Sequence, residues 1–434
     1  MLPSFLLIAM NINDLYAQFP KIVTDSRKAQ KNSIFFALKG ETFDGNDFAA
    51  QALDLGCNYA VVDKKDVAVD KRYIVVEDVL KTLQDLALHR RKQLNMPVVA
   101  ITGTNGKTTT KELIKSVLNK KYNVYATFGN LNNHIGVPLT ILEIPQNTQI
   151  AIIEMGANHV GEISALCDIA RPTCGLITNI GKAHLEGFGD FEGVKKAKNE
   201  LYDYLNEHNG TIFYNEDNPI LCALLENAKT KTICYASACK GNTIAASPLL
   251  KINLHMGENS YSVSTGMAGV YNLENVLAAT CVGVYFDVSP ERIVSAIEEY
   301  TPQNNRSQFL RTARNHLLLD YYNANPTSMS ESLKNFFENI EGDKMVILGD
   351  MFELGDESAK EHVAIINLLL KQNDVIKVVV GKNFYEAAKD VSQIFAFAQM
   401  EDLKKWLYEK QSKERFILLK GSRSMQMEQL IDLL

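Results

Sequence analysis

One stretch near residue 100 constrains the fold more than any other part of the chain. Val98–Thr102 is an apolar, β-branched run, and it stops at the glycine-rich turn Gly103-Thr104-Asn105-Gly106. Lys107 and Thr108 follow, and apolar residues then recur at helical spacing from Leu113 to Leu118. A strand, a glycine loop, Lys-Thr and a helix in this order form a cradle for a triphosphate. The stretch therefore predicts an ATP site.

Each part of this loop has a chemical role. Backbone N–H groups from Gly103 to Thr109 and the positive end of the helix face the phosphates. Lys107 supplies a fixed cation, and the Thr108 hydroxyl is placed to bind magnesium. The common phosphate loop has a further glycine where this chain has Ile101, so the loop is a shortened variant. The alternative, a plain turn between a core strand and a core helix, is disfavoured by the periodicity on both sides.

Composition limits the class of protein. With 434 residues, of which 46% are hydrophobic and 22% charged, the chain can bury sizeable cores in about two to four domains. A formal net charge of −6 argues against a nucleic-acid partner, whose binding surface is usually basic. No apolar run approaches the roughly 20 residues that a membrane helix needs. We therefore expect no membrane insertion.

The cysteines and the N-terminus favour a cytoplasmic protein. Seven scattered cysteines are expected to stay reduced there, and Cys234 and Cys239 lack a second Cys/His pair nearby for a zinc site. Met1–Met10 is apolar but has neither the basic start nor the small-residue cleavage site of a secretory signal. A start at Met10 instead of Met1 is an alternative explanation of that segment.

Alternating strands and helices predict an α/β fold in three domains, at residues 1–96, 97–301 and 302–434. The first boundary follows the polar helix end Arg90-Arg91-Lys92, and the second lies at Thr301-Pro302. Near-continuous apolar strands indicate parallel sheets that are covered on both faces.

Two segments depart from this simple alternation. The stretch 231–266 is less regular, and we expect it to be antiparallel. The last strand, Phe416–Leu419, is expected to lead into a C-terminal helix.

Polar residues at strand ends are candidates for chemistry, because ligands of open α/β sheets bind beyond the carboxyl ends of the strands. Glu154 ends the strand Ile150–Glu154, and His184 follows the strand Gly175–Asn179. With Thr108, these two side chains could meet near the phosphates and bind magnesium. The alternatives are a helix-capping or surface role for Glu154 and a structural role for His184.

Two helices carry further candidates. Lys195, Lys196 and Lys198 look like the solvated face of a helix, judged by composition alone. Asn272 and Asn275 are three residues apart, so they share a helix face and could bond an adenine edge. N-capping by Asn272 is the alternative.

The third domain again places polar groups after its strands. They occur at Asp320-Tyr-Tyr-Asn323-Ala-Asn325, at Gly349–Gly355 and at Lys420-Gly-Ser-Arg423. Arg306, just past the domain boundary, would be a cation for phosphate. These strand ends predict a second substrate surface that faces the ATP site.

At this point the chain resembles the Mur ligases, the ATP-dependent amide-forming enzymes of peptidoglycan synthesis. The resemblance runs nearly end to end. It is carried by these motifs: Thr24–Arg27, Phe35–Gly40, Phe43–Phe48, Thr102–Thr110, Asn130–Thr140, Glu154–Glu162, Asn179–Glu186, Tyr322–Pro326, Gly349–Gly355 and Lys420–Arg423.

The resemblance implies a small α/β UDP-binding domain, a central P-loop-type parallel-sheet ATPase domain and a C-terminal Rossmann-like domain. The motifs after residue 154 imply the member that joins D-alanyl-D-alanine to a UDP-N-acetylmuramoyl-tripeptide through an acyl phosphate. The third residue of that tripeptide, diaminopimelate or lysine, stays open. We expect a monomer.

The resemblance also implies roles for single residues. Glu154 and His184 would bind magnesium, and Lys198 would be carbamylated by CO2 and hold a second magnesium ion, which replaces the solvated interpretation of that lysine. Implied nucleotide contacts are Asn272, Asn275, Arg306 and Asp320. Implied substrate contacts are Asp25, Ser26, Arg27, Lys39, Gly40, Asn132, Asn133, Asn158, His159, Asn323 and Asn325.

Two positions depart from the family pattern. Tyr321 stands where a serine is usual, and Leu319 stands where an acidic residue is common. Two other functions remain as alternatives: a sibling ligase, whether amino-acid-adding or similar to folylpolyglutamate synthase, and a P-loop nucleotide switch. The switch would need a base-specifying Asn-Lys-x-Asp, which the sequence lacks.

Overall fold

The computed structural model describes residues 11–303 and 305–434, so the alternative starts at Met1 and Met10 lie outside the described residues. The chain forms two compact units. The first contains Met1–Ala100, Asn123–Gly156 and Glu162–Thr173, and the second contains Ile101–Tyr122, Ala157–Gly161 and Cys174–Leu434. Within the described ranges, no helix combines the length and the apolarity that crossing a membrane requires.

The N-terminal segment is a four-stranded parallel sheet with helices, all in the first unit. The strands run in the order β1-β2-β3-β4, and β2 is buried along its whole length. The sequence predicts strands at Ile22–Thr24, Ser33–Leu38, Tyr59–Val62 and Tyr73–Val76, and each is confirmed to within two residues. Its elements are α1 (Ile12–Gln18), β1 (Lys21–Val23), β2 (Ser33–Phe36), α2 (Ala49–Asp54), β3 (Tyr59–Val62), β4 (Tyr73–Val75) and α3 (Val79–Lys92).

The middle segment supplies strands to both units. Its elements are β5 (Val98–Thr102), α4 (Lys107–Asn119), β6 (Val124–Ala126), α5 (Gly136–Leu142), β7 (Ile150–Glu154), α6 (Glu162–Ala170), β8 (Cys174–Ile177), α7 (Leu185–Phe188), α8 (Phe191–Glu207), β9 (Thr211–Tyr214), α9 (Pro219–Leu224), β10 (Lys231–Cys234), β11 (Lys240–Ala245), β12 (Lys251–Met256), β13 (Asn259–Ser264), α10 (Asn272–Tyr285) and α11 (Pro290–Glu299).

The pairing of these strands follows their apolar pattern. In the first unit β6 pairs with β7 in parallel, and in the second β8, β9 and β10 pair in parallel. Strands β11, β12 and β13 form an antiparallel sheet. The antiparallel prediction for 231–266 is therefore confirmed for β11–β13 and wrong for β10.

The C-terminal segment is a six-stranded mixed sheet in the second unit. Its elements are β14 (Gln308–Arg311), β15 (His316–Asp320), α12 (Pro326–Asn339), β16 (Lys344–Gly349), α13 (Ser358–Leu370), β17 (Val375–Val380), α14 (Lys382–Ala388), β18 (Phe395–Phe397), α15 (Met400–Lys410) and β19 (Phe416–Lys420). The strand order is β14-β15-β19-β16-β17-β18. Only the edge strand β14 is antiparallel among the described pairs.

The predicted C-terminal helix is wrong as an α-helix. Two 3-10 segments, Arg423–Met425 and Met427–Leu433, occupy this part of the chain. Gln426 between them has a φ of 50°, and a left-handed residue interrupts a right-handed helix.

The polar cluster at the end of α3 contains one buried residue. Arg91 is buried, and its guanidinium donates to the carbonyls of Leu94 and Ala170, both at 2.6 Å, and of Arg171 at 3.1 Å. Two of these carbonyls lie at the end of α6, where the helix dipole is negative and favours a cation. Arg91 therefore joins the ends of α3 and α6.

A buried carboxylate orders the end of β16. Asp350 is 2% exposed, and its two oxygens accept the backbone N–H groups of Asn383 (2.9 Å) and Phe384 (2.8 Å) in the first turn of α14. Gly381, with a φ of 118°, lies so close that an added Cβ would be 2.4 Å from the Asp350 carboxyl carbon. This contact fixes α14 against the sheet.

We expect Asp350→Ala to lower the free energy of unfolding of the C-terminal segment by about 2 kcal/mol, because two buried N–H groups lose their acceptor. The single tryptophan, Trp406, lies in α15, so its fluorescence in a urea titration reports on this segment. Asp374→Ala, in an exposed position before β17, is the matched control. Equal midpoints for the two variants would contradict the assigned role of Asp350.

Candidate active site

The glycine loop lies between β5 and α4, as its sequence predicts. Gly103 and Gly106 have φ values of 139° and 79°, which side chains with a Cβ rarely adopt. There is also no room for a Cβ: at Gly103 it would lie 2.0 Å from the Thr178 hydroxyl, and at Gly106 it would lie 2.6 Å from the Asn275 amide oxygen. Both glycines are thus required by conformation and by space.

The segment after β8 holds the loop in place. The backbone N–H groups of Thr104 and Asn105 donate to the carbonyl and the side-chain oxygen of Asn179, both at 2.9 Å. The Thr178 hydroxyl donates to the Asn105 carbonyl at 2.6 Å. The loop is therefore fixed before any ligand arrives, which favours tight binding of a charged group.

The predicted cation lies on the loop itself. The Lys107 ammonium donates to the carbonyls of Gly103 (2.7 Å) and Thr104 (3.0 Å). Thr108, in the first turn of α4, is buried. The helix start, the ammonium and the hydroxyl are thus gathered at one turn, as phosphate binding requires.

Asn272 and Asn275 join α10 to this loop. The Asn275 amide donates to the Asn272 side-chain oxygen at 2.8 Å, and the Asn275 oxygen accepts the Thr110 hydroxyl at 2.9 Å. Asn272 donates in turn to the Ala268 carbonyl at 2.7 Å. N-capping by Asn272 is wrong, because Tyr271 holds the cap position and Asn272 is already the first helical residue.

A cavity of about 80 Å³ brings together most of the predicted nucleotide contacts. It is lined by Asn105, Gly106, Thr109, Tyr271, Asn272, Asn275, Arg306, Ser307, Asp320, Ser328, Glu331 and Lys420. The loop, the start of α10 and the C-terminal segment all contribute side chains. The polar strand ends of the C-terminal segment predict such a surface facing the ATP site.

From the sequence, Lys420 was named only as part of a polar strand end, not as a residue of the nucleotide site. It is 1% exposed, and its ammonium pairs with the Asp320 carboxylate at 2.6 Å. The two residues face each other in register at the ends of β15 and β19. The sequence indicates such a role through the position of Lys420 at the end of a buried strand, because a lysine there needs a charged partner.

Arg306 and Asn325 extend the site from the C-terminal segment. The Arg306 guanidinium lies 3.7 Å from the centre of the Tyr322 ring, a cation–π contact. Asn325 caps α12 and donates to the Asn105 side-chain oxygen in the phosphate loop at 2.8 Å. Asn325, implied as a substrate contact, thus also helps to fix the loop.

The departures at Leu319 and Tyr321 face away from the cavity. Side chains alternate along a strand, so Leu319 and Tyr321 lie in one core with Leu317, whereas Asp320 points into the cavity. Leu319 and Tyr321 stand where the family pattern has polar residues, and packing in this core accommodates both side chains.

His184 lies at the start of α7 with a φ of 51°. Its Nδ1 atom contacts the carboxylate of Glu353, and the imidazole beside that carboxylate lowers the pKa of Glu353. The ring stands edge-on to Phe188, with centroids 6.5 Å apart. Sequence reasoning named the motif that contains Glu353 but not the residue.

Lys198 differs from its neighbours on α8. It is 3% exposed, and its ammonium lies 5.3 Å from the centre of the Phe188 ring, whereas Lys196 is exposed. The solvated interpretation is therefore wrong for Lys198 and right for Lys196. Glu200, two residues on, accepts the Gly161 N–H at 2.5 Å.

In the first unit, Glu154 is buried at the end of β7. One carboxylate oxygen accepts the Asn132 amide at 2.8 Å, and the Glu154 N–H donates to the Thr127 hydroxyl at 3.0 Å. A surface role for Glu154 is wrong because it is 1% exposed. The Asn133 side-chain oxygen accepts the Gly136 N–H at the start of α5.

A second cavity, of about 500 Å³, lies in the first unit. It is lined by Thr24, Asp25, Ser26, Arg27, Phe35, Phe43, Gly45, Phe48 and Gln51. Phe43 and Phe48 are exposed and were not singled out from the sequence. Their exposure beside a cavity indicates a binding site, because exposed apolar rings cost free energy unless a ligand or partner covers them.

Charge pairs order this cavity and its surroundings. Arg27 binds Asp25 through its side chain and lowers the pKa of that carboxyl to about 2. Lys39 does not line the cavity, because its ammonium pairs with Asp63 at 2.8 Å. Gly40 lies against Phe43, where a Cβ would come within 2.3 Å of the ring.

The remaining implied substrate residues are exposed. They are Asn158, His159 and Asn323. Gly187 lies against the Asn158 carbonyl, where a Cβ would be 2.3 Å away, so the Asn158–His159 turn lies beside the turn that carries His184.

The donor atoms suit magnesium more than a soft metal. Among the described residues, no three or more His, Cys, Asp or Glu side chains are grouped to hold an ion. Magnesium needs only one or two carboxylates when phosphate oxygens and water complete its shell. Glu154, buried in the first unit, and Thr108, buried in the second, each carry an oxygen donor of that kind.

We expect Asn275→Ala to weaken ADP binding about tenfold, because the loop helix loses the bond from Thr110 and each such bond contributes about 1 kcal/mol. Isothermal titration calorimetry measures this directly. Thr280→Ala on the same helix removes only a bond to the Val276 carbonyl and serves as the control. Unchanged ADP affinity in Asn275→Ala would show that the loop does not depend on α10.

Three family descriptions match successive parts of the chain. They are "Mur ligase family, catalytic domain" at residues 19–91, "Mur ligase middle domain" at 101–283 and "Mur ligase, glutamate ligase domain" at 305–423.

Full-length relatives agree with these matches. The chain is 34% identical to the UDP-N-acetylmuramoyl-tripeptide–D-alanyl-D-alanine ligase of Bacillus subtilis, over 94% of this chain and 92% of that protein. A crystal structure of MurF from Acinetobacter baumannii has a TM-score of 0.87 at 33% identity, over 95% and 93% of the two chains. MurF from Thermotoga maritima, in complex with ADP, has a TM-score of 0.85 at 26% identity, over 97% of each. The chain belongs to the Mur ligase family.

Proposed function

We propose that this protein is an ATP-dependent ligase that joins D-alanyl-D-alanine to a UDP-N-acetylmuramoyl-tripeptide, in the synthesis of peptidoglycan precursors. The observation that carries the proposal is the end-to-end similarity to a Bacillus subtilis protein named for this reaction. In addition, residues of the phosphate loop and of the C-terminal segment line one cavity. A sibling ligase or a nucleotide switch is not favoured by either observation.

The reaction proceeds by carboxylate activation. A terminal carboxylate oxygen of the tripeptide attacks the γ-phosphorus of ATP, the bond to the β,γ-bridging oxygen breaks, and ADP leaves. The amine of D-alanyl-D-alanine then attacks the acyl carbon of the resulting acyl phosphate and loses a proton. The acyl–oxygen bond breaks, inorganic phosphate leaves, and an amide remains.

The chain's own residues stabilise the charge that moves in the first step. The loop N–H groups and the Lys107 ammonium face the transferring phosphoryl group, where fixed donors lower the barrier most. Asn272, Asn275, Arg306 and Asp320 are proposed to position the nucleotide. Thr108, Glu154 and His184 would hold magnesium, which neutralises phosphate charge when bound.

We propose that Lys198 carries a carbamate. The neutral amine adds to CO2, a C–N bond forms, and one proton is released, so that a buried cation becomes an oxygen donor. Burial supports this, because Lys198 is 3% exposed whereas Lys196 on the same helix lies on the surface. The carbamate oxygens would serve a second magnesium ion.

The first-unit cavity is the proposed UDP site. Phe43 and Phe48 present rings on which a uracil can stack, and Arg27 offers a cation to the diphosphate beside Asp25 and Ser26. Lys39, Gly40, Asn132, Asn133, Asn158, His159, Asn323 and Asn325 are proposed to shape the path of the peptide substrates.

We further propose domains at 1–96, 97–301 and 302–434, and a location in the cytoplasm. The three family matches begin and end inside these limits. Free thiols at Cys57, Cys222, Cys234, Cys239 and Cys281 suit a reducing compartment.

We expect Lys107→Ala and Glu154→Ala each to lower kcat by roughly 100-fold or more, since Lys107 is a charge partner of the phosphoryl group and Glu154 would hold the magnesium that neutralises it. ADP and phosphate release is measured with ATP, D-alanyl-D-alanine and either the diaminopimelate or the lysine tripeptide. Lys196→Ala, on the exposed side of α8, is the control. Release that does not need both substrates, or near-normal turnover in either variant, would overturn the assignment.

We expect Lys198→Ala to lose activity and to regain part of it with short carboxylic acids such as acetate or propionate, which supply the missing oxygens. The same acids should leave Lys196→Ala unchanged. Mass spectrometry of the unmodified enzyme in 13C-labelled bicarbonate, after chemical trapping, should show the added carboxyl group. Loss of activity without rescue and without label would count against the carbamate.

A further inference from the structure

Ser307 lies in the short stretch that leads into β14, and it is buried. Its backbone joins two elements that are far apart in sequence. The Ser307 N–H donates to the Asp320 carboxylate at 3.3 Å, and the Ser307 carbonyl accepts the Ala268 N–H at 3.0 Å. Ser307 is therefore held between the end of β15 and the turn before α10.

The side chain of Ser307 makes a third contact. Its hydroxyl lies 3.0 Å from the hydroxyl of Tyr271, the residue at the cap position of α10, and either oxygen can donate this hydrogen bond. Both residues line the nucleotide cavity. The Tyr271 ring packs against its own turn, because a Cβ on Gly269 would lie 2.5 Å from it.

The backbone on both sides of Arg306 is left-handed. Asn305 has a φ of 53°, which asparagine tolerates, and Ser307 has a φ of 50°, which serine rarely adopts. Such a residue persists where its surroundings determine its conformation, and such residues gather at functional sites. The Asn305 carbonyl also accepts the Tyr322 N–H at 3.3 Å. The stretch 305–307 is thus fixed at both of its ends.

Two charged groups of the nucleotide cavity depend on this stretch. One oxygen of Asp320 binds the Lys420 ammonium, and the other accepts the Ser307 N–H. The buried Arg306 Nε atom has no hydrogen-bond partner in the part of the chain that the structure describes. The direction of the Arg306 side chain is therefore set by the backbone around it and by the Tyr322 ring beneath its guanidinium.

We propose that the hydrogen bond between the Tyr271 and Ser307 hydroxyls positions Arg306 and Asp320 for the nucleotide, by fixing the stretch 305–307 to the start of α10. Tyr271 and Ser307 are then positioning residues. This inference rests on the proposed function, which assigns Arg306 and Asp320 to the nucleotide. A contact that is equally strong in the ground state and the transition state determines KM and not kcat, and we expect this of groups that position the nucleotide.

The test compares Tyr271→Phe, Ser307→Ala and the double variant in the full-length enzyme. Each single change removes one hydroxyl and keeps the ring or the Cβ. We expect each to weaken ADP binding about fivefold in isothermal titration calorimetry, and to raise KM for ATP by a similar factor with kcat nearly unchanged. The double variant should bind ADP no more weakly than the weaker single variant, because both changes remove the same bond.

Two further variants separate positioning from general stability. Tyr285→Phe, at the other end of α10, removes a hydroxyl that lies 3.4 Å from the Thr211 hydroxyl, and it should leave ADP affinity unchanged. Glycine adopts a φ of 50° without strain, so Ser307→Gly should melt at no lower temperature than the unmodified enzyme. Its ADP affinity should nevertheless fall as in Ser307→Ala.

Three results would overturn the inference: unchanged ADP affinity in both single variants, additive losses in the double variant, or a fall in kcat as large as the rise in KM. Ligase activity of the unmodified enzyme is measured in the same preparation. Ligase activity with unchanged ADP affinity in the variants removes this inference alone. The expected loss of affinity in an enzyme without ligase activity supports the positioning role and removes the proposed reaction.

Discussion

The phosphate loop keeps its shape because hydrogen bonds from two directions hold a backbone that would not adopt it alone. Asn179 and Thr178 bind the loop from the end of β8, and Asn275 binds the helix behind it. The two glycines tolerate the positive φ values, but tolerance alone does not select one conformation. The surrounding side chains make that selection, so the anion site exists before the nucleotide binds.

Buried charged groups are stabilised by different kinds of partner in different parts of the chain. Arg91 donates to three carbonyls, two of them at a helix end, and Lys420 pairs with the carboxylate of Asp320. Asp350 accepts two N–H groups at a helix start. Each arrangement lowers the cost of removing a charge from water. Lys198 is buried as well, and the proposed carbamate would turn its positive charge into a negative one.

The sequence predicted what depends on neighbours along the chain. Strands such as Val98–Thr102 and Ile150–Glu154 were placed to the residue, because a continuous apolar run ended by polar residues is a local signal. The glycine loop and the shared face of Asn272 and Asn275 were predictable for the same reason.

Features that depend on distant partners were not predictable. The edge strand β14 was missed for a different reason: its half-buried pattern has no clear alternation, although its partner β15 is the next strand along the chain. Lys198 and Lys196 look alike in sequence, and only the packing of α8 separates them. The same holds for Arg91 and for Glu353, whose partners lie far along the chain.

One edge of the C-terminal sheet connects the C-terminal segment with the middle segment inside the second unit. Strands β15, β16 and β19 are parallel neighbours, so their carboxyl ends lie side by side. Asp320 and Lys420 thereby reach the nucleotide cavity, and the turn after β16 brings Glu353 to His184. A shift of one residue in the register of β19 would turn Lys420 to the opposite face. The apolar core that fixes the register of β19 therefore also determines where Asp320 and Lys420 lie at the edge of the sheet.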